Sequence, residues 1–305
     1  MSWQPLGGWK PLGIGGPFNS LPVRLLNTIQ SPADCYELAL SLPDKCVDVV
    51  FGSPPYENAR HYGGKAKKLK GQDWVDWMMK LWREFDRISR GIVGMVVEGR
   101  TVGRRYSATP HLLAADLHRA GYHLRKDYAY VRWGIPGSGG DDGHKNRWEP
   151  VIVTKPPGKL FWADNLAMGK PPKHKPGGAC SHRTSSGKRV AKREYKAPAI
   201  ANPGNIIECT VGGGHMGDYR AHDSEAPFHV RIAEFFVRSY CPPGGVIFDP
   251  FMGSGTVAEM AVMHGRNYLG CELQEEQAVL ARERAKKAHD AYAALQPLPL
   301  LPVAS

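Results

Sequence analysis

Apolar residues recur along the chain with two periods, and together these lay out an α/β protein. Short β-branched and aromatic runs read as strands: Val23–Ile29, Val47–Phe51, Ile92–Val97, Ile206–Cys209, Val246–Phe248 and Asn267–Cys271. His123–Trp133 and Pro150–Thr154 read as two more, antiparallel in part. A spacing of three to four marks helices. The clearest runs from Asp73 to Ser89, where Trp74, Trp77, Met78, Leu81, Trp82, Phe85 and Ile88 form one stripe that Gly91 ends. That stripe reads as core. Tyr36–Leu42, Pro110–Arg119, Phe228–Tyr240 and Gln274–Asp290 read as further helices, with another starting near Thr256.

The pattern fails in three places. Residues 1–22 are rich in Gly and Pro and read as an irregular arm, and 291–305 read as a frayed tail. Residues 155–205 show no sustained period. A segment of that length without a core pattern is either functional or disordered. The expected layout is therefore two ordered halves, 23–154 and 206–290, around an irregular insertion at 155–205.

Charge changes the picture of that insertion. The 305-residue chain carries a formal +11, and 42% hydrophobic residues suffice for a real core. Between Lys155 and Lys196 eleven Lys and Arg stand against Asp164 and Glu194. Most of the net charge thus sits in one segment, interspersed with Phe161, Trp162 and Tyr195. A polyanionic partner fits such a balance better than a small acidic metabolite. The six scattered cysteines form no C-x-x-C and read as reduced thiols of a cytoplasmic protein. No signal peptide is indicated in the first thirty residues, and no apolar run approaches a membrane span. His174, Cys180 and His182 match no common zinc spacing, so no metal is expected.

Two turns carry candidate chemistry. Ser53-Pro54-Pro55-Tyr56 follows the Val47–Phe51 strand directly. A Pro-Pro step fixes two φ angles and removes two N–H donors, so the chain leaves the sheet in one shape. The Ser53 hydroxyl and the Ser53 and Pro54 carbonyls become rigid acceptors, with an aromatic ring two residues on. Such a set suits a flat substrate bearing an exocyclic –NH2; a plain Pro-rich turn is the alternative. The second turn is Asp249-Pro250-Phe251-Met252-Gly253-Ser254-Gly255-Thr256, between a strand and a helix, with Glu272 closing the next strand. This strand–turn–helix–strand–acid order is a nucleotide-binding βαβ pattern, in which glycines permit close approach and the acid takes ribose hydroxyls. No Lys follows the turn, so it is not a P-loop.

Together the two turns resemble the DNA amino-methyltransferases, which transfer a methyl group from S-adenosyl-L-methionine to cytosine N4 or adenine N6. The family's catalytic motif, [DNS]-P-P-[YFW], stands at Ser53–Tyr56 and its cofactor motif, D-P-F-x-G-S-G-T, at Asp249–Thr256. The catalytic motif comes first with a basic segment between, the order of the permuted β class. The resemblance covers roughly residues 25–287. It implies a Rossmann-like, permuted, doubly wound and mostly parallel sheet of the seven-stranded methyltransferase type. It also implies that Ser53, Pro54, Pro55 and Tyr56 are catalytic, and that Asp249, Pro250, Phe251, Gly253, Ser254, Gly255, Thr256 and Glu272 bind the cofactor. Asp34 joins that set as the acid before the first helix; here Pro32-Ala33 replaces the usual Gly, and Asp34 reads equally as a helix N-cap.

The same resemblance makes residues 155–205 the target-recognition segment and double-stranded DNA the partner. It leaves a homodimer and a cognate restriction endonuclease open. The expected DNA contacts are Lys65, Lys67, Lys68 and Lys70 after Tyr56, and Lys173, Lys175, Arg183, Lys188, Arg189, Lys192 and Arg193 in the insertion. Arg147-Trp148-Glu149 resembles the family's Arg-x-Glu and reads as structural. His222–Phe228 resembles the segment that lines the methionine part of the cofactor, but departs from it except at Pro227. In that family a Ser at this motif position goes mainly with cytosine N4 and Asp or Asn with adenine N6, so the resemblance implies cytosine N4, with adenine N6 as the alternative. The remaining readings are an RNA or protein amide methyltransferase, an inactive DNA-binding homologue, and an NAD-dependent oxidoreductase. The last would use Gly253-x-Gly255-x-x-Ala258 and leaves Ser53–Tyr56 unexplained.

Overall fold

The structure, a computed structural model, describes residues 20–57, 69–135, 141–173, 179–190, 193–194, 196–211 and 228–295. The arm, Lys65, Lys67, Lys68, Lys175, Lys192, His222 and Pro227 fall outside these, apart from the arm's last three residues.

The strands are β1 (Thr28–Gln30), β2 (Val49–Gly52), β3 (Val93–Val96), β4 (Thr101–Val102), β5 (Arg105–Tyr106), β6 (His123–Leu124), β7 (Tyr128–Trp133), β8 (Trp148–Lys155), β9 (Ala179–Cys180), β10 (Arg193–Glu194), β11 (Ile206–Thr210), β12 (Val246–Asp249) and β13 (Asn267–Cys271). The helices are α1 (Cys35–Ser41), α2 (Gly71–Ile88), α3 (Thr109–Arg119), α4 (Val230–Tyr240), α5 (Thr256–Met263) and α6 (Glu275–Leu295).

One sheet holds β1-β13-β12-β2-β3-β8-β7-β11 in that order, with β6 also against β8. The pairs from β1 through β3 are parallel, β8 is antiparallel to both neighbours, and β11 pairs parallel with β7. The expected seven-stranded kernel is present, in permuted chain order, and is widened by β11 and β6. Every strand of this sheet except β8 therefore ends on one side, here called the carboxyl edge. The Ser53 and Asp249 turns both leave that edge, from the adjacent strands β2 and β12.

Burial explains the register. Val50, Met95, Phe248 and Ile152 face α1, α2 and α3 on one side of the sheet, while Phe51, Val151, Ile247 and Tyr130 face α4, α5 and α6 on the other. Parallel strands covered on both faces read as continuous apolar runs, which is why they were visible in the sequence. The α2 stripe is core: Trp74, Met78, Leu81, Trp82, Phe85 and Ile88 are buried, each worth about 1.5–3 kcal/mol of apolar transfer.

Four boundaries differ from expectation. Val23–Leu25 is a 3-10 turn, and Asn27 takes φ 56°, so β1 starts only at Thr28; Asn tolerates this left-handed region where Ile or Val would not. His123–Trp133 is interrupted: from Leu124 to Tyr128 the chain advances four residues while its partner moves three, from Thr154 to Val151. This is a bulge of one extra residue. β8 starts two residues early, at Trp148. Helix α6 runs through Leu295, so the tail expected from 291 begins later; Ala291-Tyr292-Ala293-Ala294 propagates the helix.

The insertion starts on the amino edge, because β8 runs backwards. Phe161 packs beside Gly91 beneath β3, the Arg90 guanidinium lies 4.4 Å from its ring centroid, and the Asp164 N–H donates to the Ser239 carbonyl. The segment returns to the same edge, where Asn205 donates to the Asp127 carbonyl. Between these roots β9 and β10 pair antiparallel, Arg193 opposite Cys180.

Candidate active site

Ser53 sits one residue beyond β2. Its hydroxyl donates to the Val96 carbonyl at the end of β3, 3.3 Å away. That bond aims the oxygen and leaves its lone pairs as acceptors. The Pro-Pro turn is held from outside: Trp74 of α2 donates its indole N–H to the Pro55 carbonyl at 2.9 Å.

Tyr56 is fixed by its tip. Its hydroxyl donates to Glu149 Oε2 at 3.0 Å, and Glu149 Oε1 pairs with Arg132 at 2.6 Å. Burial and the neighbouring Glu149 charge push the Tyr56 hydroxyl well above its usual range, so it remains a proton donor. Burial also raises the Glu149 carboxyl, and the Arg132 charge opposes it. The sequence reading left Glu149 as structural; the Arg147-Trp148-Glu149 tripeptide was the signal that marked it.

Asp249 lies one strand away. Its Oδ1 accepts the Phe251 N–H at 2.9 Å, while Oδ2 is buried with no hydrogen-bond partner among the described residues. Burial, and to a lesser extent the Glu272 charge, push its carboxyl up to about 8 against the Phe251 N–H. The two turns touch through Gly52: a Cβ there would lie 2.4 Å from Asp249 Oδ1. Only glycine permits that approach.

The second turn is built for access. Gly253 takes φ 51° with nothing but the Phe251 carbonyl near a would-be Cβ, and its N–H donates to Glu272 Oε2 at 2.8 Å. Glu272 Oε1 accepts from the Gln274 N–H at 2.9 Å. Gly255 takes φ 87° and faces the Ala281 backbone of α6 at 2.8 Å from a would-be Cβ. Asp34 is the N-cap of α1, accepting from Tyr36 and Glu37, and the preceding Ala33 N–H donates to the Glu272 carbonyl. Asp34, Glu272 and Asp249 thus line neighbouring ends of β1, β13 and β12. Phe251 packs between Trp77 and Phe85, Ser254 is buried, and the Thr256 hydroxyl accepts from Arg284 of α6 at 3.0 Å. These last three brace the turn rather than open it.

A buried, unpartnered carboxylate oxygen beside a glycine turn fits a cationic nucleotide-like group. Glu272 and Asp34 add further acceptor oxygens at the neighbouring strand ends.

The chain matches the DNA methylase family model, which covers N6- and N4-directed enzymes, over residues 47–283. The chain belongs to this DNA methylase family. It is an S-adenosylmethionine-dependent DNA methyltransferase. Curated relatives include the orphan methyltransferase M.BamHII of Bacillus amyloliquefaciens, 28% identical over 81% of this chain and 91% of the relative. They also include the DNA adenine methyltransferase YhdJ of Escherichia coli K12, 21% identical over 77% and 74%. The solved PvuII DNA methyltransferase, cytosine-N4-specific, shares the fold with a TM-score of 0.62 at 17% identity, over 86% of this chain and 89% of that one. Among the described residues no helix is long and apolar enough to cross a membrane.

Proposed function

We propose that this DNA methyltransferase acts on cytosine N4, with Ser53, Pro54 and Tyr56 as its catalytic residues and Pro55 fixing their turn. The observation that carries the reading is the Ser53 hydroxyl, oriented by Val96 and beside the Tyr56 hydroxyl, one residue from the Gly52–Asp249 contact. The amino nitrogen of cytosine is a poor nucleophile because its lone pair is delocalised into the ring. Acceptors at Ser53 Oγ and the Pro54 carbonyl draw the –NH2 toward sp3 and restore that pair. With S-adenosylmethionine bound, these acceptors would align the nitrogen for in-line attack on its methyl carbon, the carbon–sulfur electron pair would pass to sulfur to give S-adenosylhomocysteine, and the amino proton would leave by way of the acceptors to solvent. Alignment supplies most of the rate.

The target nitrogen is inaccessible inside a duplex, so the base is flipped out, which costs a few kcal/mol. Stacking on Tyr56 offsets part of this. Asp249, Gly253 and Glu272 hold the cofactor with Asp34, while Pro250, Phe251, Ser254, Gly255 and Thr256 shape its turn. Lys70, Lys173, Arg183, Lys188 and Arg189 contact phosphates. Arg193 joins these phosphate contacts. Five free cysteines among the described residues fit a cytoplasmic setting. Paired with a cognate restriction endonuclease, as monomer or homodimer, the same transfer would mark DNA against cleavage.

The test is to incubate the protein with labelled S-adenosylmethionine and mixed-sequence duplex DNA, digest to nucleosides, and identify the product by mass spectrometry. N4-methylcytosine is expected. N6-methyladenine would retain the site and show that Ser53 does not set base choice.

A further inference from the structure

Exposed apolar side chains gather on one lip of the carboxyl edge, outside the catalytic turns. Val102 is 61% exposed, Tyr106 40%, Trp133 42% and Trp148 44%. Tryptophan is large and usually well buried, so two such rings together are unusual. The register makes them neighbours: Val131 is opposite Trp148, so Trp133 is its same-face diagonal partner across β7 and β8. The Arg147 guanidinium lies 5.0 Å from the Trp133 ring centroid, in cation–π range.

This lip is tied down. Glu98, past β3, accepts from Asn146 at 3.0 Å and from Tyr106 at 3.3 Å. Arg104 of the β4–β5 hairpin pairs with Asp142 at 2.6 Å. The hairpin and the 141–148 strand entry are thus one braced unit. It is also close to the chemistry, because Trp148 is bonded to Glu149, whose carboxylate holds Tyr56. Trp148 and Glu149 point to opposite sheet faces. The indoles therefore flank the proposed base pocket from the other side of the same strand end.

We propose that Trp133 and Trp148, with Arg147, form a stacking platform for the base orphaned in the opposite strand when the target base leaves the helix. The inference rests on the base-flipping reading above. Flipping leaves one base without a partner, flat and accessible from the groove. Two indole faces and a guanidinium match that chemistry: aromatic stacking is tolerant of base identity, and the cation favours a polyanion's surroundings. Such a platform stabilises only an opened duplex. A single strand has no orphaned base.

The experiment compares methyl transfer to one mixed-sequence DNA preparation in native and heat-denatured form, with labelled S-adenosylmethionine. The Trp133→Ala/Trp148→Ala variant should lose about tenfold or more in kcat/KM on native DNA, the scale of one or two lost base stacks. The loss on denatured DNA should be several-fold smaller. Trp→Phe replacements at both positions should restore most of the native-DNA rate, and Trp→Leu replacements should not. Equal losses on both forms, no loss, or equal rescue by Leu and Phe would each overturn the platform. Cofactor titration by calorimetry guards against misfolding: a variant that fails to bind cofactor is replaced by the single Trp148→Phe and Trp148→Leu pair, read in the same way. A wild-type protein that methylates neither form overturns the parent reading and this one with it. A methylating wild type with an unchanged native-to-denatured ratio in the variant overturns this one alone.

Discussion

Tyr56 donates its hydroxyl proton to Glu149 across 93 positions of sequence, 3.0 Å apart. Glu149 is held in turn by Arg132. The ring proposed to stack on the flipped base is therefore anchored at its far end by a buried carboxylate paired with the part-buried Arg132. Removing the carboxylate's charge while keeping its shape, as in Glu149→Gln, should let the ring wander. A hydrogen bond to a charged group is worth about 1.5–3 kcal/mol, so kcat/KM on DNA should fall roughly ten- to a hundredfold, with cofactor affinity unchanged by calorimetry. Glu149→Ala should also lower the thermal midpoint, because it leaves Arg132 without its partner. An unchanged kcat/KM in the Gln variant would remove Tyr56 anchoring from the mechanism.

Ser53→Ala and Tyr56→Ala address the same turn from the other end. Each should lower turnover by about tenfold or more while sparing cofactor binding, since the hydrogen bonds of these side chains run to Val96 and Glu149. Steady-state methyl transfer and isothermal titration separate the two effects. Full turnover in both variants would refute the catalytic assignment.

Asp249 makes the protein pH-dependent in a specific direction. Its carboxyl rises from 3.8 to about 8, chiefly through burial. Between those values the folded chain holds a proton that the unfolded chain has released. The associated stability is complete below pH 4 and is lost as pH rises through 8. The thermal midpoint of the cofactor-free protein should thus fall from pH 5 to pH 9, and Asp249→Asn should flatten that fall. A cationic cofactor favours the ionised form, so binding below pH 8 should release a proton. Calorimetry in buffers of different ionisation enthalpy reads that proton directly; zero release at pH 6 would count against Asp249 as the cation's partner.

Both turns were legible in the sequence because local covalent chemistry shapes them. Pro54-Pro55 has one way to leave β2, and Gly253 and Gly255 mark backbone that other residues avoid. Strands buried on both faces were legible as apolar runs. The Glu149–Tyr56 bond was not, because it depends on β8 running backwards between β3 and β7. The same reversal roots the insertion on the amino edge, a placement that its charge and composition do not specify. Asn27 and the bulge at Arg125–Asp127 escaped for a related reason: each is a one-residue departure within an otherwise strand-like run.

Gly52 tests how closely the two turns must approach. Gly52→Ala would place a Cβ 2.4 Å from Asp249 Oδ1, well inside contact distance. Neither neighbour can yield freely, because Asp249 is wholly buried on β12 and bonded to the Phe251 N–H. The carboxylate must move out of its site. Overpacking of this kind typically costs about 1–3 kcal/mol, so the thermal midpoint should drop by several degrees. Cofactor affinity should fall about tenfold with it, while Gly103→Ala, in open space on the β4–β5 hairpin, should leave that affinity alone. Equal cofactor affinity in the Gly52 variant and the native protein would show that the Gly52–Asp249 contact does not govern the cofactor site.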